Sequence, residues 1–368
     1  MPRAAVCTAQ NEPLTVMDLR LDPPRQGEVR LRLAAAALCG SDVSVQAGHL
    51  PSPMPVVLGH EGVGEVTETG PGVRSLRAGD QVVVAAMPQC GRCARCTHEQ
   101  PFLCEVGDVV LKYGGLRSGD HRFSTADGTG VAQMVAAGTF AEEIVVPEIS
   151  CVQVPAAVDP LLIAPLGCGV ITGYGAARRA ATIRPWHTVV VIGCGTVGLA
   201  AVQGARLAGA ERIVAVDVTA TKTDLAKRLG ATESLTADQD VVAAVRELTG
   251  GRGADVVLEC VGAQATVKQA VRMTAKGGEV VFVGAGGPDV RLDVAQFAGL
   301  VGPAKTFRGV LFGAADIHRD IPEMVREHLD GRLLLEETIS HRVTLDEVDA
   351  TLGRLGEPDL VTAVVDLR

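Results

Sequence analysis

The chain has 368 residues, 47% of them hydrophobic and 21% charged, enough for a sizeable core and about two domains, and too apolar for a disordered chain. Its net charge of −9 is spread without a like-charged block, which argues against a nucleic-acid or membrane-surface partner. Polar residues arrive within ten positions of Met1 and no apolar run is unbroken, so neither a signal-peptide core nor a spanning helix is expected. With ten cysteines and no export signal, the expectation is a cytoplasmic protein whose clustered cysteines bind metal or react rather than form bridges.

In chain order, the first 165 or so residues carry short β-rich runs between Gly, Pro and Asp turns: EVRLRL, GVGEVTETG and GDQVVVAA. The stretch QCGRCARCTHEQPFLC follows, with Cys90, Cys93, Cys96 and Cys104 spaced C-x2-C-x2-C-x7-C. Four thiolates at that spacing can close a tetrahedral zinc shell with no open position, which makes the site structural. Arg92 and Arg95 between the ligands can offset its negative charge. An unmetallated lobe or a redox dithiol are the alternatives. The polar run RSGDHRFSTADGTG is then expected to be a surface loop.

A reactive metal needs three protein ligands and a free fourth position. Cys39 in LCGSDV, His60 in LGHEGVGEV and Cys168 in PLGCGVITGYGAA are candidates, but spacing alone does not join them. Buried cysteines and an ordinary histidine are the plain reading of each.

From Thr188 the character changes to apolar strands alternating with amphipathic helices: TVVVIGCGTVGLAAVQGARLAGA, RIVAVD, KTDLAKRLGA, ADVVLECVG and GGEVVFVGA. That alternation implies a parallel, doubly wound sheet. GCGTVG, Gly193 to Gly198, matches G-x-G-x-x-G between a strand and a helix, the context of a dinucleotide site. Gly193 permits the turn, Gly195 lets the backbone approach a pyrophosphate, and Gly198 lets helix and strand pack closely. The helix opening at Thr196 offers free N–H groups to the phosphates. Asp217, ending the next strand, stands where a carboxylate accepts from an adenosine ribose and repels a 2′-phosphate, so NAD is preferred to NADP. After about residue 310 a helix in IPEMVREHLDGRL and strands near HRVTL and TAVVDL close the chain.

CGSD, GHEGVGEV, the four-cysteine lobe, GCGVITGYGAA and VVVIGCGTVGL, in that order, resemble the alcohol dehydrogenase branch of the zinc-dependent medium-chain dehydrogenase/reductase family, including its class III-like and nicotinoprotein-like members. The resemblance covers essentially the whole chain. It implies an α/β architecture: a GroES-like catalytic domain over 1–169 with the structural zinc lobe near 89–105, a Rossmann domain over 170–309, and a segment 310–368 returning to the catalytic domain. It further implies two Zn2+ per chain, a catalytic one on Cys39, His60 and Cys168 and a structural one on the four-cysteine lobe. By the same resemblance, Asp42 hydrogen-bonds His60, Glu61 sits behind the metal, and Ser41 touches the substrate oxygen. Thr172 and Val197 back the nicotinamide, Lys222 joins Asp217 at the ribose, and Thr196 belongs to the cofactor turn. The implied activity is hydride transfer between a small-molecule alcohol and NAD, with zinc as Lewis acid, in a homodimer.

Three departures from the family pattern stand out. Gly40 replaces a basic residue that reaches the pyrophosphate in several relatives. Ser44 replaces a relay histidine, with His49 read as a solvated loop residue rather than a substitute. Ala86 and Met87 replace a bulky aromatic, suggesting a wide pocket for a medium or bulky primary or secondary alcohol. A thiol-adduct (formaldehyde-type) dehydrogenase, a nicotinoprotein with retained NAD(H) and, remotely, a non-catalytic NAD-binding protein remain as alternatives. Cys7, Cys151, Cys194 and Cys260 are read as small packing residues, with Cys194 as an oxidation-sensitive point in the cofactor turn.

Overall fold

A computed structural model describes residues 1–113 and 120–368, and the chain divides into two compact units. The first comprises Met1–Cys168, Asp316–Asp330 and Ile339–Arg368; the second comprises Gly169–Ala315 and Gly331–Thr338. The C-terminal segment therefore does not stay with one unit. Residues up to Ala315 and the short stretch Gly331–Thr338 cluster with the second.

The first unit is built on mainly antiparallel sheets. Its hub is the ten-residue strand Glu28–Ala37, which pairs with Gly62–Thr69, with Glu143–Pro147 and with Thr362–Asp366. Alternating apolar residues explain the choice: Val29, Leu31 and Leu33 are buried against Val66, Val82 and Ile144 on one face. Pairing of Ala35 with Asp366 and Ala37 with Val364 fixes the chain end to this hub.

The RSGDHRFSTADGTG stretch is not a plain loop. Its first residues, 117–119, lie outside the described residues, but Phe123–Ser124 pairs antiparallel with Gly130–Gln133 around a turn held by Asp127. Arg122, polar by composition, is 2% exposed and forks onto Glu28, donating to both carboxylate oxygens at 2.8 and 2.6 Å. Pairing turned a surface-looking charge into a core one.

In the second unit the strands lie in the order Glu233–Thr236, Arg212–Asp217, Thr188–Ile192, Ala254–Glu259, Thr274–Phe282 and Thr306–Gly309, all parallel. The central strand Thr188–Ile192 is buried along its whole length, as a strand covered on both faces must be. Helices follow the strands at Thr196–Leu207, Ala220–Arg228, Val241–Leu248 and Gln264–Met273. Gly173 shows how closely they pack: a Cβ there would meet the Val197 carbonyl oxygen at 1.9 Å.

The helix expected in IPEMVREHLDGRL runs instead from Ile317 to Leu329. Asp316 caps it by accepting from His318 and Arg319 N–H at 3.0 and 3.3 Å, so Pro322 falls inside the helix rather than at its start. No single helix among the described residues is long and apolar enough to cross a membrane.

Arg122→Ala strands the Glu28 charge in the interior, so it should cost about 3–5 kcal/mol in denaturant unfolding. The double change Glu28→Gln with Arg122→Met should cost much less, because no bare charge remains.

Candidate active site and cofactor turn

Cys39 is the N-cap of the helix Gly40–Gln46, and Asp42 is its third residue. From that position the Asp42 carboxylate reaches back to accept the Cys39 backbone N–H at 2.9 Å. Its other oxygen accepts from the Gly59 N–H at 3.1 Å and contacts His60 Nδ1 at 3.0 Å. Asp42 is fully buried, so one carboxylate ties together two segments that each carry a metal-ligand candidate.

Gly59 has a φ of +87°, and a Cβ on it would meet Thr139 Oγ1 at 2.6 Å and Phe140 N at 2.7 Å. Cys168 follows a short 3-10 turn, and a Cβ on the preceding Gly167 would meet the Val84 carbonyl oxygen at 2.3 Å. These glycines immediately before His60 and Cys168 were not singled out from sequence. The repeated "LG" before each ligand, in LGH and LGC, is the signal that was available.

The ligand atoms of Cys39, His60 and Cys168 lie within 4.8 Å of one another. With Nδ1 engaged by Asp42, His60 Nε2 is buried and has no hydrogen-bond partner among the described residues. The hydrogen bond between the two thiols pulls Cys39 well below the usual thiol range, helped by His60, and pushes Cys168 well above it, helped by burial. Burial opposes the charge on His60, yet Asp42 and Cys39 outweigh it and raise its pKa well above the ordinary value. Burial likewise raises Asp42. Two thiols are thus crowded together beside an imidazole nitrogen without a partner among the described residues. A dication is the group that lets both sulfurs ionise and gives Nε2 a partner, so this donor set fits zinc.

Ser41 Oγ lies 3.8 Å from Cys39 Sγ. Glu61 is buried, and a Cβ on Gly167 would meet its Cβ at 2.8 Å, placing it directly under the Cys168 turn. Ser44 donates its hydroxyl to the Gly40 carbonyl at 3.1 Å, and His49 is exposed. Ala86 and Met87 are both buried. The Met87 methyl lies 3.0 Å from where a Gly107 Cβ would stand, so this side chain packs on the helix Glu105–Tyr113.

Cys90, Cys93, Cys96 and Cys104 also bring their sulfurs within 4.8 Å. Backbone N–H groups point at them: Cys90 donates to Cys104 Sγ at 3.4 Å. At Cys93 burial opposes ionisation, but the N–H groups of Cys96 and Glu105 prevail and bring the thiol down to about 6, whereas burial pushes Cys96 and Cys104 up. Such N–H donors favour thiolates, and four thiolates with no gap in the set fit a closed tetrahedral zinc. Arg92 and Arg95 are exposed, and Arg95 is engaged with Gln100 at 3.0 Å.

In the second unit, Gly193 turns with φ +92° and Gly195 caps the helix Thr196–Leu207. A Cβ on Gly198 would meet the Gly193 carbonyl oxygen at 1.7 Å, so only glycine lets the helix start this close to the strand. At Gly195 a Cβ would meet nothing within 4 Å. It would instead project into open space at the helix N-terminus, the cradle a pyrophosphate needs. Asp217 accepts from the Cys194 N–H at 2.7 Å and the Thr219 N–H at 2.9 Å, bracing the turn from the next strand. Lys222 is buried on the helix that follows, and Thr172 and Val197 are half-buried.

Cys194 is a correction. Its side chain is fully buried, with Sγ 3.8 Å from the Val216 carbonyl, and burial pushes its thiol far above the usual range. It packs beneath the turn, away from oxidants.

Residues 25–156 match the family model for the alcohol dehydrogenase GroES-like domain, and residues 196–329 match the one for zinc-binding dehydrogenases. The chain is 38% identical to the NDMA-dependent alcohol dehydrogenase of Amycolatopsis methanolica over 350 residues, 94% of each protein. It is 33% identical to the class-3 alcohol dehydrogenase of Myxine glutinosa over 370 residues, 99% of this chain and 97% of that one. Among solved structures, benzyl alcohol dehydrogenase from Acinetobacter calcoaceticus superposes with a TM-score of 0.93 at 30% identity, covering 100% of this chain and 99% of the other. A donor set suited to an open zinc, a closed cysteine lobe and a dinucleotide turn thus agree with the family matches over nearly the full length, and the chain belongs to the zinc-dependent alcohol dehydrogenases of the medium-chain dehydrogenase/reductase family.

Proposed function

We propose that the protein interconverts a medium or bulky alcohol and its aldehyde or ketone using NAD, with Cys39, His60 and Cys168 holding the catalytic zinc and the four-cysteine lobe a structural one. The observation that carries this is the unpartnered His60 Nε2 set among two thiols within 4.8 Å. When bound, zinc supplies Lewis acidity toward the alcohol or carbonyl oxygen and the nicotinamide accepts or returns the hydride. Asp42 keeps the His60 proton on Nδ1 and thereby keeps Nε2 free as a donor to metal. Ser41, next to the ligand Cys39, relays the substrate hydroxyl proton, giving up its own hydroxyl proton as it accepts. Ser44 has its hydroxyl committed to Gly40 and His49 is exposed, so the proton passes from Ser41 to solvent rather than along a histidine relay.

Gly193, Gly195, Thr196, Val197 and Gly198 form the pyrophosphate cradle, Thr172 supports the nicotinamide, and Asp217 with Lys222 receives the adenosine ribose and disfavours NADP. The small Ala86 supports a wide pocket, as does kinship to a benzyl alcohol dehydrogenase. A second reading, with NAD(H) retained through turnover, is favoured by the 38% identity to an NDMA-dependent enzyme. None of the ten cysteines is in a disulfide, which suits the reducing cytoplasm.

We also propose a homodimer formed along Thr306–Gly309, one of the two edge strands of the parallel sheet. Phe297 is 71% exposed nearby in sequence, with Leu292, Val301 and Leu311 also exposed, and a two-fold axis lets such an edge and patch cover their own copy. Phe297→Asp should then sediment as a monomer where the parent sediments as a dimer.

Protein purified without added metal should hold two zinc ions per chain, and Cys39→Ser one, with NAD-linked alcohol oxidation lost across a panel of alcohols. One zinc in the parent, unchanged in the variant, would remove the catalytic centre from this reading. In the same preparation, a nicotinamide absorbance that survives gel filtration would select the retained-cofactor form. Asp42→Asn should weaken zinc retention by about 10–100-fold in chelator competition, while the four-cysteine zinc is unaffected.

A further inference from the structure

Thr139 has no part in the proposed mechanism, yet it is fully buried against the turn that carries His60. Its backbone N–H donates to the Gly59 carbonyl at 3.0 Å, and its Oγ1 donates to the Glu61 carbonyl at 3.1 Å. One residue therefore grips the chain immediately before and immediately after the ligand candidate. Its side chain fills the space left by two glycines of the same turn. A Cβ on Gly59 would meet Oγ1 at 2.6 Å, and one on Gly62 would meet the Thr139 Cβ and Cγ2 at 3.3 Å each.

Neither packing nor polar satisfaction explains the hydroxyl. Valine has nearly the same shape and would fill that space without burying a polar group. The Glu61 carbonyl already accepts the Ala37 N–H at 3.1 Å, so it is satisfied without Thr139. What the hydroxyl adds is a second tie on that carbonyl, from a different segment of the chain.

The loop that delivers Thr139 is held in an unfavourable shape. Val135 and Ala136 turn with φ of +43° and +61°, a region that a β-branched residue avoids above all. The buried Gln133 amide fixes the loop by donating to the Ala137 and Val145 carbonyls, both at 2.9 Å. Its own Oε1 is left buried, with no hydrogen-bond partner among the described residues. Such features persist only where the surroundings impose a conformation, and this one sets residue 139 on the Gly59 carbonyl.

From the other side, Asp42 accepts the Gly59 N–H and engages His60 Nδ1. With the ring held at Nδ1 and the chain held on both flanks, the backbone aims Nε2 before any metal arrives. A donor fixed in this way needs no ordering when the ion binds.

We propose that Thr139 is a positioning residue for the catalytic zinc, whose hydroxyl holds the His60–Glu61 backbone so that Nε2 stays directed at the Cys39 and Cys168 sulfurs. The inference rests on the zinc assignment made under the proposed function. Zinc affinity is to be measured by chelator competition on the full chain, Thr139→Val and Thr139→Ser, with Cys39→Ser identifying which of the two zinc equivalents belongs to the catalytic site. Thr139→Val keeps the shape and loses the donor: catalytic-site zinc should be held roughly three- to tenfold less tightly, with the four-cysteine zinc unmoved. Thr139→Ser keeps the donor and should stay within about twofold of the parent. Parent-like affinity in Thr139→Val, a Thr139→Ser as weak as Thr139→Val, or equal weakening of both zincs would overturn the positioning role. A parent chain with one zinc, unchanged in Cys39→Ser, would overturn the zinc assignment itself, and this inference with it.

Discussion

The buried Asp42 carboxylate is the contact on which the candidate zinc centre depends. It accepts the Cys39 N–H, accepts the Gly59 N–H and fixes the His60 ring through Nδ1, all in the interior. Residues 39 and 60 come from different local structures, a helix cap and a tight turn after a short strand. Pairing of Ala36 with Gly62, and the Ala37 N–H on the Glu61 carbonyl at 3.1 Å, already bring these segments side by side; Asp42 adds the grip on both backbones and on the imidazole ring that orients the donor atoms. An ionised carboxylate taken this far from water is costly, and three donors offset that cost. The third ligand is brought in by packing instead: the absence of a side chain on Gly167 lets the Cys168 turn rest against Val84 and Glu61.

The two candidate zinc sites differ in how their ligands are gathered, and that difference matches their chemistry. The lobe takes all four sulfurs from sixteen consecutive residues and surrounds them with its own backbone N–H groups. Such a site is closed because the chain can fill every position locally. The other draws three donors from positions 39, 60 and 168, across more than a hundred residues, and stops at three. A site assembled from afar leaves room for a fourth ligand that the chain does not provide.

In the second unit the central strand Thr188–Ile192 plays the organising part. Its C-terminal end turns at Gly193, and flanking strands deliver one carboxylate on each side, Asp217 and Glu259. Asp217 spends both oxygens on backbone N–H groups of the turn and of Thr219, whereas Glu259 spends only one. The same strand-end position thus carries a carboxyl braced through both oxygens on one side and through one on the other.

Much of this was legible in the residues. The four-cysteine spacing, the strand–GCGTVG–helix context and the β/α alternation are local patterns, and local patterns dictate local structure because turn geometry, helix capping and metal closure act over a few residues. Arg122 lies in a stretch expected to be a surface loop, and its pairing with Glu28, ninety-four positions away, buried it. Asp316 moved the helix start four residues ahead of the expected IPEMVREHLDGRL, since its carboxylate caps the free N–H groups there. Cys194 packs as a small apolar residue, as read, but its full burial removes the oxidation sensitivity its place in the turn suggested. Glu259 passed as the end of an apolar strand. Sequence alone determined which elements form and which residue types could ligate zinc or cradle a dinucleotide, because spacing and alternation suffice for that. Only the tertiary structure decided which distant donors meet, which charges are paired and which oxygen is left bare, because convergence and burial depend on contacts between segments that the order of residues does not place side by side.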